Sequence, residues 1–286
     1  MPTPFTWPGL DQWLLDALKE DVGAGDVTTD AVVDAGAMAR MEWVAKSELV
    51  ACGLFAGARV FELLNPAVRL KMVVAEGRAV KPGLVMLRIT GPARPLLTGE
   101  RTALNIAQRL SGIATLTRQY VHAVAGTSAK IAATRKTTPL MRRLEKYAVT
   151  VGGGTPHRFG LDDGVLIKDN HIALAGSIAT AVARAHKVHH LLRIEVEVAS
   201  LGEAEQAVKA GADVLLLDNM SVAEMRPVVK KFGGRVVLEA SGNMTIERAA
   251  QAARAGVDII SVGALTHSAP AADISARMYP ARPRKR

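Results

Sequence analysis

Six short apolar segments in the second half of the chain each end on charged or small polar residues. They are KIAATRK, GVLIKDN, LRIEVEV, DVLLLDN, VVLEASG and DIISVGA, between residues 130 and 264. Runs of this length that are rich in Val, Ile and Leu predict parallel strands of repeating βα units. The stretches that predict the intervening helices are PLMRRLEKYAV, SIATAVARAHKV, SLGEAEQAVKAG, SVAEMRPVVKKFG and TIERAAQAARAG. Because a full barrel needs eight such units, we expect an incomplete, open parallel α/β barrel.

The first part of the chain has a different pattern. GLDQWLLDALKED predicts an opening helix, because its apolar residues recur at helical spacing, and the pattern then breaks at VGAGDVTTD. Between about residues 37 and 90, short strands punctuated by Gly and Pro turns flank a helix at GLFAGARVFELLN. This arrangement is typical of an α+β sandwich domain rather than of βα units.

A long helical stretch, ERTALNIAQRLSGIATLTRQYVHAVAG, joins the two parts. Its residues Ser111 and Gly112 predict a break into two helices at the domain border. We therefore expect an α+β sandwich domain of residues 1–110 with a returning tail, 269–286, and a barrel domain of residues 111–268.

Composition narrows the class of protein. With 49% hydrophobic and 22% charged residues, the chain of 286 residues is ordinary globular protein. A net charge of +9 is compatible with a nucleic acid, a membrane surface or an acidic small substrate. The aromatic fraction of 4% leaves few rings for stacking on bases, and the basic end ARPRKR is interpreted as a solvated tail.

The single cysteine and the absence of a long apolar run bear on location. Cys52 has no partner for an internal disulfide and is interpreted as a small buried hydrophobe. No apolar run reaches the roughly 18 residues needed to span a bilayer, and the first residues do not resemble a secretory leader. We expect a cytoplasmic protein.

Charged residues follow several of the predicted strands. The carboxyl ends of barrel strands meet at one mouth, which should collect Arg135, Lys136 and Lys168, with His157 and Arg158 from a neighbouring segment. Arginine matches a carboxylate with two parallel hydrogen bonds, whereas lysine is a point charge suited to phosphate. The cluster predicts an anionic substrate; the alternative is a set of surface salt bridges.

Carboxylates and glycines complete this mouth. Glu197 and Asp218 would hold a divalent ion such as Mg²⁺, bond sugar hydroxyls or support a cationic carbon, unless they form internal salt bridges with Lys168 or Lys136. The loops SGN at 241–243 and VGA at 262–264 follow strands, as phosphate-binding loops do, although plain tight turns have the same composition. Glu195 lies deeper on the strand of Glu197 and is interpreted as structural.

A family resemblance rests on strings spread over nearly the whole chain. They are EDVGAGDVTTD, ERTALN, RLSGIATLTRQYV, TRKTTP, LEKYAV, GGG, HRFGLDDGVLIKDNHI, EVEV, LLLDNM, EASGN and GVDIISVGALTHSAPAADIS. On these strings the chain resembles quinolinate phosphoribosyltransferase, a pentosyltransferase also called nicotinate-nucleotide pyrophosphorylase (decarboxylating). The resemblance implies transfer of phosphoribosyl from phosphoribosyl pyrophosphate to quinolinate with loss of CO₂, which gives nicotinate mononucleotide for de novo NAD biosynthesis. It also implies Mg²⁺ and a homodimer with a shared active site, or a larger assembly of dimers.

The resemblance implies roles for particular residues. The proposed catalytic residues are Lys136, Lys168, Glu197 and Asp218, of which Glu197 and Asp218 would hold Mg²⁺ directly or through water. The quinolinate-binding set would be Arg135, His157, Arg158 and Lys168 with Thr134, and Arg101 would reach in from the neighbouring subunit. The phosphoribosyl pyrophosphate set would be Lys136, Glu197, Asp218, Ser241, Gly242, Asn243, Val262, Gly263 and Ala264.

The sequence departs from the family pattern at four loop positions. Ala133 replaces an expected Asp, Val151 an expected Cys, Pro156 an expected Asn and Asn243 an expected Gly. These departures leave open a paralogous phosphoribosyltransferase of the ModD type, which would act on another aromatic acid. A basic nucleic-acid-binding module is a further alternative; it would need cations on a continuous outer face with interleaved aromatics rather than at strand ends.

Overall fold

The computed structural model describes residues 6–281. The last five residues of ARPRKR and the outermost ends of the predicted first domain lie outside the described residues. The chain forms two compact units. One consists of the described residues up to Thr115 together with those from Ala269 onward, and the other is Leu116–Ser268.

Both units contain helices and strands. The helices are α1 Leu10–Val22, α2 Val27–Val32, α3 Leu54–Leu64, α4 Ala93–Ala123, α5 Arg142–Gly152, α6 Asp169–Ala175, α7 Ile178–Ala185, α8 Leu201–Ala210, α9 Val222–Phe232, α10 Ile246–Ala255 and α11 Ala264–His267. The strands are β1 Met38–Ala45, β2 Leu49–Val50, β3 Arg69–Met72, β4 Ala79–Val80, β5 Val85–Pro92, β6 Lys130–Ala132, β7 Val165–Ile167, β8 Ile194–Val198, β9 Val214–Asp218, β10 Val237–Ser241, β11 Ile259–Ser261 and β12 Ile274–Pro280.

The first unit is built on an antiparallel sheet with the order β12-β1-β5-β3. Side chains on β1 alternate, so Met41 and Trp43 are buried while Arg40 is exposed on the other face. Trp43 meets the ring of Phe61 on α3 edge to face, with 6.2 Å between the ring centroids. One buried face covered by a helix makes this unit an α+β layer, and the expected α+β domain is confirmed; its sheet is antiparallel.

Helix α2 lies where the sequence pattern predicted only a break. The side chain of Asp26 accepts a hydrogen bond from the backbone N–H of Thr29 at 3.0 Å, which caps the start of the helix. Only Thr29 is buried among the six residues of this helix. A helix this short with one buried position has no periodicity that a sequence pattern could reveal.

The predicted break at Ser111 and Gly112 is wrong, because α4 is one continuous helix of 31 residues. The hydroxyl of Ser111 donates to the carbonyl of Cys52 at 2.9 Å and accepts from its N–H at 3.0 Å. A Cβ atom at position 112 would lie 2.0 Å from the carbonyl oxygen of Pro270. Gly112 therefore permits a close approach of two backbone segments and does not end the helix.

Cys52 is fully buried with a free thiol, as predicted.

The second unit is built on a parallel sheet with the order β6-β11-β10-β9-β8-β7. All six strands lie within the six apolar segments, and the expected open barrel architecture is confirmed. The five predicted helices correspond to α5, α7, α8, α9 and α10. Two short helices were not predicted: α6, which has no buried residue, and α11, which has four residues.

Across the residues that the structure describes, no helix combines the length and the apolar character needed to cross a membrane.

Candidate active site

The carboxyl ends of the parallel strands in the second unit surround a cavity of about 800 Å³. Almost all of the predicted site residues line this cavity. They are Thr134, Arg135, Lys136, His157, Arg158, Lys168, Glu197, Asp218, Ser241, Gly242, Asn243, Val262, Gly263 and Ala264. Arg101 is different: it is an exposed residue of α4 in the first unit and does not line this cavity.

Arg135 and Lys136 follow β6. Arg135 is half-buried, and its Nε is buried without a hydrogen-bond partner among the described residues. Lys136 is exposed, and its backbone is fixed because its N–H donates to Thr134 Oγ1 at 3.0 Å and its carbonyl accepts from Thr266 Oγ1 at 2.8 Å. Hydrogen bonds thus hold the backbone of this cationic segment in place. One donor in the segment, the Nε–H of Arg135, has no hydrogen-bond partner among the described residues.

A buried carboxylate and a buried lysine support the cationic loops. Glu145 on α5 accepts from the N–H and the hydroxyl of Thr138, at 3.0 and 2.8 Å. Lys146, which is fully buried, donates to the carbonyl of Pro156 and lies 5.3 Å from the ring centroid of Phe159. Burial, together with the positive charge of Arg142, lowers the pKa of Lys146 to about 8. No pattern in the sequence indicated that these two residues hold the loops.

Carboxylates from adjacent strands lie at the same rim. Oε2 of Glu197 on β8 is 2.6 Å from Nζ of Lys168, so one of the internal salt bridges considered from the sequence is present. Oδ2 of Asp218, which ends β9, accepts from Nδ2 of Asn219 at 2.7 Å. Both carboxylates are half-buried, and their remaining oxygens can accept further bonds or bind a cation.

A more deeply buried acidic group lies on the same sheet. Glu195 on β8 is 7% exposed and Glu239 on β10 is 2% exposed, and ligand atoms of these two residues and His157 lie within 4.8 Å of one another. Oε2 of Glu239 is 3.0 Å from Nε2 of His157. Burial and the nearby charge of Glu239 raise the pKa of Glu195. The hydrogen bond to Glu239 raises the pKa of His157.

Comparisons with known proteins identify the family. Residues 26–111 match the family model described as quinolinate phosphoribosyl transferase, N-terminal domain. Residues 113–277 match the model of the C-terminal domain of the same family. The chain belongs to the quinolinate phosphoribosyltransferase family.

Individual relatives have similar lengths. A probable nicotinate-nucleotide pyrophosphorylase (carboxylating) from Synechocystis sp. is 42% identical over 283 residues, which is 96% of this chain and 95% of that protein. A protein of the same name from Bacillus subtilis is 44% identical and covers 90% of this chain and 89% of its own. The crystal structure of NadC from Streptococcus pyogenes is similar with a TM-score of 0.94 and 40% identity, and the match covers 98% of this chain and all of that one.

The departure from the quinolinate phosphoribosyltransferase pattern at Asn243 is accommodated by the backbone. Asn243 has φ +47° and Gly242 has φ +92°, so both adopt left-handed conformations. Glycine and asparagine are the residues that enter this region most readily, and Asn243 therefore keeps a conformation that glycine would also adopt. Nδ2 of Asn243 also lies 3.3 Å from Oδ1 of Asn219, which links this loop to Asp218.

Several residues that line the cavity were not singled out from the sequence, among them the polar residues Asn219, Glu239 and His267. Glu239 could have been found, because it lies two positions before Ser241 on one strand and therefore faces the same side of the sheet. Nδ1 of His267 is 2.6 Å from Oγ of Ser268, and this histidine is exposed. No strand pattern predicts its position, because it ends the short helix α11.

Proposed function

We propose that this protein transfers the phosphoribosyl group of phosphoribosyl pyrophosphate to quinolinate and releases pyrophosphate, CO₂ and nicotinate mononucleotide. The name pyrophosphorylase (carboxylating), which its relatives carry, describes the same conversion written from the nucleotide. The observation that carries the proposal is the single cavity that collects the guanidinium groups, two carboxylates and two glycine-containing loops on a fold of this family.

The arginines are proposed to bind the carboxylates of quinolinate. Arg135 offers a buried Nε–H without a partner among the described residues, and such a donor costs about 1–3 kcal/mol when it stays unsatisfied. A carboxylate would satisfy this donor through the two-pronged contact that arginine favours. Arg158, Lys168, His157 and Thr134 line the same cavity and complete the proposed acid-binding set.

Phosphoribosyl pyrophosphate is proposed to bind Lys136, Lys168, Glu197 and Asp218, with its 5′-phosphate on the backbone of residues 241–243 and 262–264. These residues fit Mg²⁺, since Glu197 and Asp218 present hard carboxylate oxygens and Mg²⁺ is commonly held by one or two carboxylates with substrate oxygens. When bound there, Mg²⁺ would neutralise charge on the departing pyrophosphate. The ion pair of Lys168 with Glu197 supports the proposed position of phosphoribosyl pyrophosphate, because it holds a cation for the phosphate groups beside the carboxylate.

The residues of the chain act mainly by electrostatics. As pyrophosphate leaves, positive charge grows on C1′ of the ribose, and Glu197 or Asp218 is proposed to stabilise it. The pyridine nitrogen then forms the bond to C1′ and becomes quaternary. The C2 carboxylate leaves as CO₂ because the quaternary ring can accept its electron pair, and a proton from solvent takes its place. No side chain has to act as a general base in these steps.

The active protein is proposed to be a homodimer in the cytoplasm, with Arg101 reaching the partner's cavity. The exposed position of Arg101 on α4 supports this assignment. Mixing the inactive variants Arg101→Ala and Lys136→Ala should restore part of the activity, because hybrid dimers contain one intact site. If subunit exchange is verified and activity does not return, the shared site is refuted.

The direct test is incubation of the purified protein with quinolinate, phosphoribosyl pyrophosphate and Mg²⁺, followed by detection of nicotinate mononucleotide and CO₂. Nicotinate in place of quinolinate serves as the control, because it lacks the C2 carboxylate. We expect product from quinolinate only. Failure with quinolinate but turnover of another aromatic acid would favour the paralogous transferase, for which the departures at Ala133, Val151 and Pro156 leave room.

A further inference from the structure

The ring of His157 is fixed on both sides by the chain itself. Its Nδ1 accepts a hydrogen bond from the backbone N–H of Arg158 at 2.8 Å, and its Nε2 lies 3.0 Å from Oε2 of Glu239. Because a backbone N–H can only donate, Nδ1 carries no proton and the ring proton lies on Nε2. Nε2–H therefore donates to Glu239.

Glu239 lies on a central strand, whereas the residue that it bonds, His157, lies in a loop. It lies in β10 between register partners on β9 and β11, Leu216 and Ile259, and is 2% exposed. A buried carboxylate needs hydrogen bonds to remain stable, and His157 supplies one. A side chain on a central strand has a better defined position than one on a loop, so the sheet defines where the imidazole ring lies.

The backbone around His157 depends on this anchor. His157 has φ +52°, a left-handed conformation that is unfavourable for a residue with a Cβ atom. The following residue, Arg158, gives its backbone N–H to the ring, and its Nη1 donates to the carbonyl of Gly164 at 3.0 Å. The orientation of the Arg158 peptide is thus tied to the ring, and the ring is tied to Glu239.

We propose that Glu239 is a positioning residue that holds the His157 ring in its Nε2–H form and, through that ring, holds Arg158 where it can bind the pyridine dicarboxylate. The inference rests on the proposed function, because it concerns the affinity for that acid. His157, which itself lines the cavity, thereby orients Arg158 at the acid-binding end.

Two substitutions separate the loss of the charge of Glu239 from the loss of its side-chain acceptor. Glu239→Gln keeps an oxygen that can accept from Nε2–H, whereas Glu239→Ala removes the acceptor. We expect Glu239→Ala to raise the KM for quinolinate about tenfold or more, the equivalent of one lost buried hydrogen bond, with the KM for phosphoribosyl pyrophosphate within about threefold. Glu239→Gln should restore the quinolinate KM to within about threefold of the parent value. The matched control is Glu205→Ala, an exposed glutamate paired with Lys231.

The proposal is overturned if Glu239→Ala binds quinolinate as the parent protein does, or if Glu239→Gln is as impaired as Glu239→Ala. A second measurement does not depend on activity or on the folding of the Glu239 variants. The ring ¹⁵N signals of His157 in the parent protein, assigned by their loss in His157→Gln, should report a proton on Nε2 and none on Nδ1.

A proton on Nδ1, or on both nitrogens, would overturn the proposal even if the enzyme makes nicotinate mononucleotide. Conversely, a parent protein that makes no nicotinate mononucleotide but shows the expected ring signals would refute the proposed function and leave the positioning of His157 intact. The two failures are therefore distinguishable.

Discussion

The rim and the floor of the cavity present acidic residues in opposite ways. At the rim, Glu197 is half-buried and pairs with Lys168, so its charge is balanced by a cation that is itself exposed. We call the buried cluster of Glu195, Glu239 and His157 the floor, although only Glu239 and His157 of these line the cavity; its two carboxylates lie close together, and Glu239 is bonded to His157. The difference indicates two roles: rim groups can exchange their partner for a substrate, whereas Glu239 is engaged in holding His157.

The largest effect should come from the rim carboxylate. Glu197→Gln keeps the size of the side chain but removes the charge proposed to support positive charge at C1′. We expect kcat to fall by roughly 10²-fold, the scale seen when one electrostatic contact to a transition state is removed. Steady-state kinetics with Glu205→Gln as the matched exposed control would measure it. An unchanged kcat would remove Glu197 from the catalytic set.

A smaller and more selective effect is expected at Arg135. Arg135→Lys keeps the positive charge but loses the two-pronged contact with a carboxylate. The KM for quinolinate should rise about tenfold or more, while the KM for phosphoribosyl pyrophosphate changes little. Arg254→Lys, in the last turn of α10, is the control. Equal losses for both substrates would contradict the assignment of Arg135 to the acid.

Lys146 offers a test of the buried region through stability. Its pKa is lowered to about 8 in the folded protein, below the ordinary lysine value of 10.5, so the unfolded chain binds more protons between these values. The contribution of Lys146 to the free energy of unfolding should therefore rise as the pH increases from about 8 to about 10.5. Urea unfolding of the parent protein and Lys146→Met would show it as a difference between the variants that changes with pH. A constant difference would show that the lysine does not titrate in this range.

The smallest effect is expected at Asn243. Asn243→Gly should change the KM for phosphoribosyl pyrophosphate by less than about threefold, because glycine adopts φ +47° without strain. Asn243→Val should weaken binding clearly more, since a β-branched residue is strongly disfavoured in this conformation. If the two variants behave alike, the left-handed backbone is not what the loop requires.

The sequence predicted the rim better than the floor, and the reason is physical. Residues at the ends of apolar runs must emerge at one edge of a parallel sheet, so Arg135, Lys168 and Glu197 could be placed together from the pattern alone. The hydrogen bond between His157 and Glu239 joins residues 82 positions apart, and no local pattern encodes it. The bond depends on a loop conformation with positive φ, which histidine seldom adopts.

The same distinction explains the errors in the fold. The break at Gly112 was predicted because glycine often ends a helix. In the structure, the absence of a side chain at this position instead permits close contact with the backbone of Pro270, which is far along the chain. The strands of the second unit were predicted well because each combines an apolar run with a polar end. Helix α6 was missed because it buries no residue and so has no apolar face to detect.

Because β12 pairs with β1, the antiparallel sheet can be completed only after residues 274–280 have been synthesised. Residues 38–45 leave the ribosome well before residues 274–280, which form the strand that covers this edge of the antiparallel sheet. Translation of the intervening chain takes on the order of tens of seconds, which is long compared with the folding of a βα unit. The parallel sheet can therefore form while the antiparallel sheet still lacks its edge strand β12. The nascent protein would keep one edge of β1 open to neighbouring chains until residues 274–280 have been synthesised.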